Sequence, residues 1–454
     1  MDASKLTPQK NDTFRCVIHG YTHDGLGVAR VDERAVFIPG GARGDEGLAR
    51  FTKVTSSVAY ARIERLETPS PHRTDPDCPA YPRCGGCAFR HITYEEEWRA
   101  KLERAEETIR RVSGVALSAE EGFPAPTADG TRGKAAFPVG RDGAGHIVTG
   151  FYRGRTHEIV PADTCRLQSP AANAAAAALR DALDGSDGLG IRHLLVRDGT
   201  DGSLACLIST QKPGTAAWEL AETLKTRVPS LRGIVWRRHS GQGNAVVSGK
   251  ETRLWGQDFI EDELRLAPGE PPLRFRLSSG SFWQVNKPQA ERMYRRALAY
   301  AGDFTSALDL YCGAGSLTQM AARSRPGARV TGVEIVPEAV RDASESARRN
   351  GLDNVEFLQA DAGEAVRRFD GPERPDVVFL DPPRKGISPE TAEAVLRLSP
   401  RRIVYLSCDP ATLARDIRRF SEGGYTAQRL TVADFFPRTA HVESLVLLTR
   451  DIIL

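Results

Sequence analysis

"SALDLYCGAGSLT", residues 306–318, decides how this chain folds. An apolar run ends at Leu310, and Gly313 and Gly315 then permit a tight turn into a stretch of helix-forming residues. Strand, glycine turn and helix make the first half of a βαβ crossover, and the rhythm repeats downstream. "RVTGVEI" (329–335), "VEFLQAD" (355–361), "PDVVFLD" (375–381) and "RIVYLSC" (402–408) are short apolar runs. Helical stretches such as "PEAVRDASESARRN" (337–350) and "SPETAEAVLRLS" (388–399) lie between them. This alternation predicts an α/β domain: a parallel sheet, doubly wound, with helices on both faces. The chain closes with "YTAQRLTVADFF" (425–436) and "ESLVLLTR" (443–450), whose short connection predicts an antiparallel pair.

The rest of the chain reads differently. At 454 residues it is too long for one core. Residues 13–66 alternate short apolar runs with Gly-rich turns, the pattern of a small β-barrel. "ETPSPHRTDPD" (67–77) reads as a linker, a helix is expected over about 94–112, and residues 120–290 suggest a mixed α+β region. The expected domains are therefore 10–68, 69–290 and 291–454.

Composition is that of an ordinary globular protein, 40% hydrophobic and 27% charged, and the net charge of +3 is too small to indicate a nucleic-acid partner by itself. No stretch of 18 apolar residues is present, and the N-terminus lacks the apolar segment of a signal peptide, so a cytoplasmic protein without membrane contact is expected. Eight cysteines in that setting should be reduced, metal-bound or catalytic. Nothing points to an obligate protein partner, and oligomeric state is not legible.

The carboxyl ends of the strands carry the chemistry. Gly313 and Gly315 let a ligand approach the backbone, but the third glycine of a dinucleotide fingerprint is replaced by Thr318. Glu334 ends the second strand, where an acid can hold ribose hydroxyls. An adenosine ligand without pyrophosphate fits, S-adenosyl-L-methionine better than NAD; the plain alternative is a glycine turn with a surface glutamate. Asp361 and Asp381 also sit at strand ends, facing the same edge or serving as helix caps and loop acids. Cys408, at the exit of the fifth strand, is either a small packing residue or a nucleophile. Glu443 begins the final strand. If that strand runs beside the fifth, Cys408 and Glu443 become neighbours; otherwise Glu443 is a loop carboxylate.

With these residues in view, the chain resembles the RNA uracil-5 methyltransferase family, which makes 5-methyluridine in ribosomal and transfer RNA. "FWQVN" (282–286), "DLYCGAGS" (309–316), "GVE" (332–334), "LDPPRKG" (380–386), "YLSCDPATLARD" (405–416) and "TAHVES" (439–444) occur in the family's order. The resemblance implies Cys408 as nucleophile and Glu443 as base. It implies Gln284, Tyr311, Glu334 and Asp381 as methyl-donor contacts, with Gly313, Gly315 and Ser316 in the donor loop and Asp361 as a less fixed contact. Two departures stand out: Ser316 and Asp409 occupy positions where the family often has Asn, and a carboxylate at 409 opposes thiolate formation. Phe282 is a candidate for stacking on a flipped base or for core packing.

"CPAYPRCGGC" holds Cys78, Cys84 and Cys87, and Cys165 in "ADTCRLQ" can supply a fourth thiolate. Four thiolates suit zinc or an iron–sulfur cluster, and spacing alone does not choose. The resemblance implies a [4Fe-4S] cluster, with zinc the alternative. It also implies an N-terminal TRAM-like barrel and an RNA partner, ribosomal RNA (23S) first and transfer RNA, at uridine 54, second. Arg132 and Lys134 in "TRGKAAF" are expected to touch phosphate or to lie on a solvated strand edge; Cys16, Cys206 and Cys312 are expected to pack. Two other functions remain open: methylation of an exocyclic amine, and RNA binding by an iron–sulfur protein without catalysis.

Overall fold

The computed structural model describes residues 8–239, 249–369 and 374–450. β1 (Thr13–Val17), β2 (Gly20–Tyr21), β3 (Gly27–Val31), β4 (Arg34–Ile38), β5 (Glu46–Val54) and β6 (Val58–Thr68) form one sheet in the order β1-β5-β6-β4-β3-β2. Its outermost strands, β1 and β2, are consecutive in the chain, so the sheet curls back on itself. Alternate side chains such as Cys16, Ile18, Val36, Ile38 and Phe51 fill the inside.

Helix α1 (Tyr94–Ser113) begins at Thr93, whose hydroxyl accepts from Glu96 N, carries three glutamates in its first turn, and ends at Gly114 with φ 79°. β7 (Ala119–Phe123) follows. The chain then builds a second sheet from β8 (Lys134–Arg141), β9 (Ile147–Tyr152), β10 (Ile159–Pro161), β11 (Ile191–Asp198), β12 (Ser203–Ser209), β13 (Leu231–Arg238) and β14 (Glu251–Gly256), in the order β10-β9-β8-β11-β12-β13-β14. Helices α2 (Pro170–Leu183) and α3 (Thr215–Arg227) cover it through alanines and leucines that meet Phe137, Leu194, Leu207 and Trp236. A hairpin of β15 (Phe259–Leu264) and β16 (Leu273–Ser278) leads to α4 (Lys287–Ala301).

The stretch 306–450 forms the expected α/β unit. Its strands are β17 (Ser306–Leu310), β18 (Arg329–Glu334), β19 (Val355–Gln359), β20 (Val377–Leu380), β21 (Arg402–Ser407), β22 (Tyr425–Ala433) and β23 (Glu443–Arg450). Its helices are α5 (Ser316–Ser324), α6 (Pro337–Arg349), α7 (Ala362–Val366), α8 (Pro389–Leu398) and α9 (Pro410–Glu422). The sheet order is β19-β18-β17-β20-β21-β23-β22-β7, with β17 to β21 parallel and β23 antiparallel between β21 and β22. Apolar side chains on both faces make two cores, as a parallel sheet covered by helices requires.

One expectation from the sequence is corrected. The segment 94–123 falls inside the span 69–290, yet β7 pairs in parallel with β22, Leu430 opposite Ala119, and α1 packs on α9. Residues Ala105 and Ile109 of α1 share a core with Leu413, Ile417 and Phe420. The pairing joins segments about three hundred residues apart, which local periodicity does not encode. Among the described residues no helix is long and apolar enough to cross a membrane.

The glycine turn after β17 is constrained by packing as well as by any ligand. Gly315 sits at φ 75°, and a Cβ there would lie 2.6 Å from the Phe357 ring. Gly315→Ala therefore meets both a left-handed backbone and a steric clash. It is expected to cost about 3 kcal/mol, read as a lowered thermal midpoint together with weakened donor binding.

Candidate active site

The first wall is the turn between β17 and α5. Tyr311, Gly313 and Gly315 all have positive φ, at 67°, 55° and 75°. The turn is tied to the end of β18: Cys312 N donates to Val333 O at 3.0 Å and Gly313 N donates to Glu334 Oε2 at 3.0 Å. The other Glu334 oxygen accepts from Ile335 N and Val336 N, both at 2.9 Å. Glu334 is thus fixed at the end of β18 and half exposed. Beyond it Ile335 is 62% exposed, an apolar surface beside a carboxylate. Phe282 is 58% exposed and lies over Gly313, its Cβ 3.4 Å from where a Gly313 Cβ would stand.

The second wall joins "FWQVN" to the end of β20. Gln284 Nε2 donates to Asp381 Oδ2 at 3.3 Å, and Ser316 Oγ donates to the Tyr294 hydroxyl at 3.0 Å. Gln284, Tyr294 and Ser316 line one small cavity. Burial pushes the Asp381 carboxyl up to about 7, and the Gln284 hydrogen bond partly offsets this. Asp309, inside β17, is likewise pushed up to about 7 by burial, while Thr318 donates to it at 2.5 Å. Asp361 separates from this group: it is exposed and caps α7 by accepting from Gly363 N at 2.9 Å.

The third element is the pair at the ends of β21 and β23. These strands are antiparallel with Ser407 opposite Ser444, so the next position sets Cys408 against Glu443. Cys408 is half exposed and Glu443 is buried. Burial pushes the Cys408 thiol up to about 12, with Glu443, Asp381 and Asp409 adding to the rise and Arg384 opposing it. Burial and Asp381 push Glu443 well above the ordinary carboxylate range, with Arg384 again opposing. Both shifts favour the protonated forms of the pair in the free protein. The Asp409 carboxylate is engaged as the cap of α9, accepting from Ala411 N at 2.9 Å and Thr412 N at 3.0 Å.

Arg384 and His441 belong to this group although the sequence reading assigned them nothing. Arg384 Nη2 lies 3.1 Å from His441 Nε2. An arginine only donates, so His441 Nε2 accepts and its Nδ1 carries the proton. Burial, with Arg384 and Arg104 nearby, pushes His441 down to about 4. Both residues were visible inside the quoted motifs "LDPPRKG" and "TAHVES"; the missing signal was their mutual distance. Tyr294 and Asp309 carried no sequence signal beyond core-like positions.

The cysteines form a separate site. Cys78, Cys84, Cys87 and Cys165 line one cavity with Arg90 and Arg132. Arg90 is pinned by Asp77 at 2.6 Å and Asp129 at 3.0 Å, and its guanidinium faces Cys87. Among the described residues no three His, Cys, Asp or Glu side chains stand close enough to hold a single metal ion. Neither Arg132 nor Lys134 lies on a solvated edge. Arg132 is in the cavity wall, facing Cys87, Cys165 and Cys84, and burial beside Arg197 pushes Lys134 down to about 7. Cys16, Cys206 and Cys312 are buried core residues.

These features can be set against known proteins. A sequence-family model described as "tRNA (Uracil-5-)-methyltransferase" matches residues 243–451. A protein of Bacillus cereus (strain ATCC 10987 / NRS 248) named "Uncharacterized RNA methyltransferase" is 34% identical over 470 residues, covering 99% of each chain. A Listeria innocua protein described in the same words is 34% identical over 466 residues, covering 99% of this chain and 100% of its own. Among solved structures, the Pyrococcus abyssi tRNA (uracil-54, C5)-methyltransferase in complex with S-adenosyl-L-homocysteine superposes with a TM-score of 0.74 at 24% identity. That superposition covers 96% of this chain and 99% of the other, and shows a shared fold. With full-length relatives among RNA methyltransferases and the uracil-5 match across residues 243–451, the chain belongs to the RNA (uracil-5-)methyltransferase family.

Proposed function

We propose that the protein transfers a methyl group from S-adenosyl-L-methionine to carbon 5 of one uridine in RNA, with Cys408 as nucleophile and Glu443 as base. The observation that carries this reading is the β21–β23 register, which sets a thiol and a carboxyl against each other at the edge where the glycine turn opens. Carbon 5 of uracil is a weak nucleophile. Addition of the Cys408 thiolate at carbon 6 makes the ring an enolate, whose carbon 5 attacks the sulfonium methyl and releases S-adenosylhomocysteine. Glu443, as the carboxylate that Arg384 favours, then takes the carbon 5 proton, the carbon 5–carbon 6 double bond re-forms, and the thiolate leaves. In this reading Glu334 holds the ribose hydroxyls, Gln284 and Asp381 take the polar end of the donor, Tyr311, Gly313, Gly315 and Ser316 shape its loop, and Asp361 is an outer contact.

The donor also explains how so strongly protonated a thiol can react. Its sulfonium brings a positive charge to a pocket where burial, and then the nearby acids, hold the Cys408 thiol up, and a nearby cation favours the thiolate. The expected outcome is that alkylation of Cys408, followed by peptide mass, keeps rising above pH 9 in the free protein. S-adenosylmethionine should speed it at pH 8 roughly tenfold, one pKa unit, whereas uncharged S-adenosylhomocysteine should not.

The preferred substrate is large-subunit ribosomal RNA, in the cytoplasm, because a curled N-terminal sheet read as TRAM-like and a four-cysteine site resemble that branch. Transfer RNA is the second reading, favoured by the printed descriptions of the family model and of the Pyrococcus structure. Mapping 5-methyluridine in both RNAs from a deletion strain, and after adding the purified protein and donor, tests the proposal. No new 5-methyluridine in either RNA would sink it.

The four cysteines fit a [4Fe-4S] cluster better than zinc. They line a shared cavity rather than converge on a point, and Arg90 and Arg132 supply positive charge toward thiolates. A single zinc would draw all four sulfurs to about 2.3 Å from one centre. When bound, such a cluster supplies cross-linking of the segments 78–87 and 162–168; no step of the methyl transfer needs its electrons. Anaerobically prepared protein is expected to hold iron and acid-labile sulfide, lost in Cys84→Ala while zinc stays at background.

A further inference from the structure

The strap between β22 and β23, residues 434–442, carries His441 and delivers the chain to Glu443. It has no regular secondary structure, and Arg438 within it sits at φ 67°. Such a segment keeps one course only if its polar groups are held from elsewhere. Here they are held by α1. Lys101 Nζ donates to Asp434 Oδ1 at 2.8 Å, to Phe436 O at 3.1 Å and to Glu97 Oε1 at 2.7 Å. Glu97 Oε1 also accepts from Arg438 N at 2.6 Å, and the Tyr94 hydroxyl donates to Asp434 Oδ2 at 2.9 Å. The segment that follows Cys87 adds a clamp, since Ala88 N and Phe89 N both donate to Arg438 O, at 2.8 and 3.1 Å.

The side chains of Glu97, Lys101 and Asp434 are 0%, 1% and 0% exposed. Buried ions add little stability over apolar side chains of the same size, but each fixes the geometry of its partners. None of the three touches Cys408 or the donor loop, so the methyl-transfer chemistry does not account for them. Every side-chain hydrogen bond they make runs into the strap or along α1.

We propose that Lys101 is a positioning residue for the base: through Glu97 and Asp434 it holds the 434–442 strap so that Glu443 reaches the carbon 5 proton. The inference rests on the function proposed above. It divides the reaction in two. Thiol addition and methyl transfer depend on the end of β21 and on the donor loop, whereas proton removal and release depend on the strap.

The test uses full-length Lys101→Met and Tyr94→Phe with S-adenosylmethionine and the RNA that the native protein methylates, after a thermal melt shows each variant folded. Single-turnover methyl transfer should stay within about threefold of the native rate while steady-state turnover falls roughly 10- to 100-fold. A covalent RNA adduct should accumulate on denaturing gels. Tyr94→Phe removes two hydrogen bonds, to Asp434 Oδ2 and from Ala125 N, and leaves the ions paired; if Lys101→Met does not fold, Tyr94→Phe alone decides, by the same readouts. Native kinetics in the folded variants, or equal losses in both rates without adduct, would overturn the positioning role. Glu443→Gln serves as the control: no adduct there strikes at the proposed function instead, whereas adduct there and none in the α1 variants strikes only at this inference.

Discussion

Glu443→Gln is expected to stop the reaction halfway, leaving RNA covalently attached to Cys408 with the methyl group already on carbon 5. The amide has nearly the shape of the carboxyl but accepts no proton, so addition and methyl transfer proceed and release does not. Loss of a general base costs on the order of 10²- to 10⁴-fold in turnover. The measurement is a denaturing gel of protein mixed with RNA and labelled S-adenosylmethionine, in which the label should migrate with the protein. The buried setting makes this substitution mild for folding, because burial already disfavours the charged form of Glu443 and a neutral amide of nearly the same shape carries no such penalty. A variant that turns over normally, or that binds RNA and forms no adduct, removes Glu443 from the proposed role.

Cys408→Ala is expected to abolish methyl transfer altogether, by on the order of 10⁴-fold or more, and to form no adduct. Without addition at carbon 6 the ring carbon has no means of attacking the sulfonium methyl. Donor binding should survive, because Glu334, Gln284 and the glycine turn are untouched; equilibrium binding of S-adenosylhomocysteine checks this. Cys408 is half exposed, so alanine there leaves no large cavity and the fold should persist. This variant also separates the competing readings. An enzyme that methylates an exocyclic amine needs no thiol and would remain active, and an RNA-binding protein without catalysis would show no methyl transfer in either form.

The two substitutions predict opposite gel results from neighbours in one pair, which overall loss of structure cannot imitate. That contrast rests on a register rather than on a motif. If β23 were shifted by one residue, Glu443 would turn to the other face of the sheet and Cys408 would meet a serine. The observed pairing of Ser407 with Ser444 is therefore the most consequential contact in the protein.

Much of this was written in the sequence. The apolar runs from "SALDLYC" to "RIVYLSC" alternate with helices at spacings that only a parallel, doubly wound sheet satisfies, and β17 to β21 form that sheet. Residues Gly313, Gly315 and Glu334 could be placed at one edge because strand ends, glycine turns and acids are local signals, and the structure joins Gly313 to Glu334 by a hydrogen bond. Asp361 was a local signal too, of the plainer kind, a helix cap.

What sequence left open depends on contacts between distant segments. Nothing local packs α1 on α9 or places β7 beside β22, turns Arg132 into the cysteine cavity, or brings Arg384 to His441. Nor does it reveal that a lysine at position 101 holds the loop before residue 443. Local patterns determine which elements form, because backbone dihedrals and side-chain periodicity act over a few residues. Which buried charges face one another, and so which protons are held or released, is settled only when the chain packs, because desolvation and Coulomb forces act through space rather than along the chain.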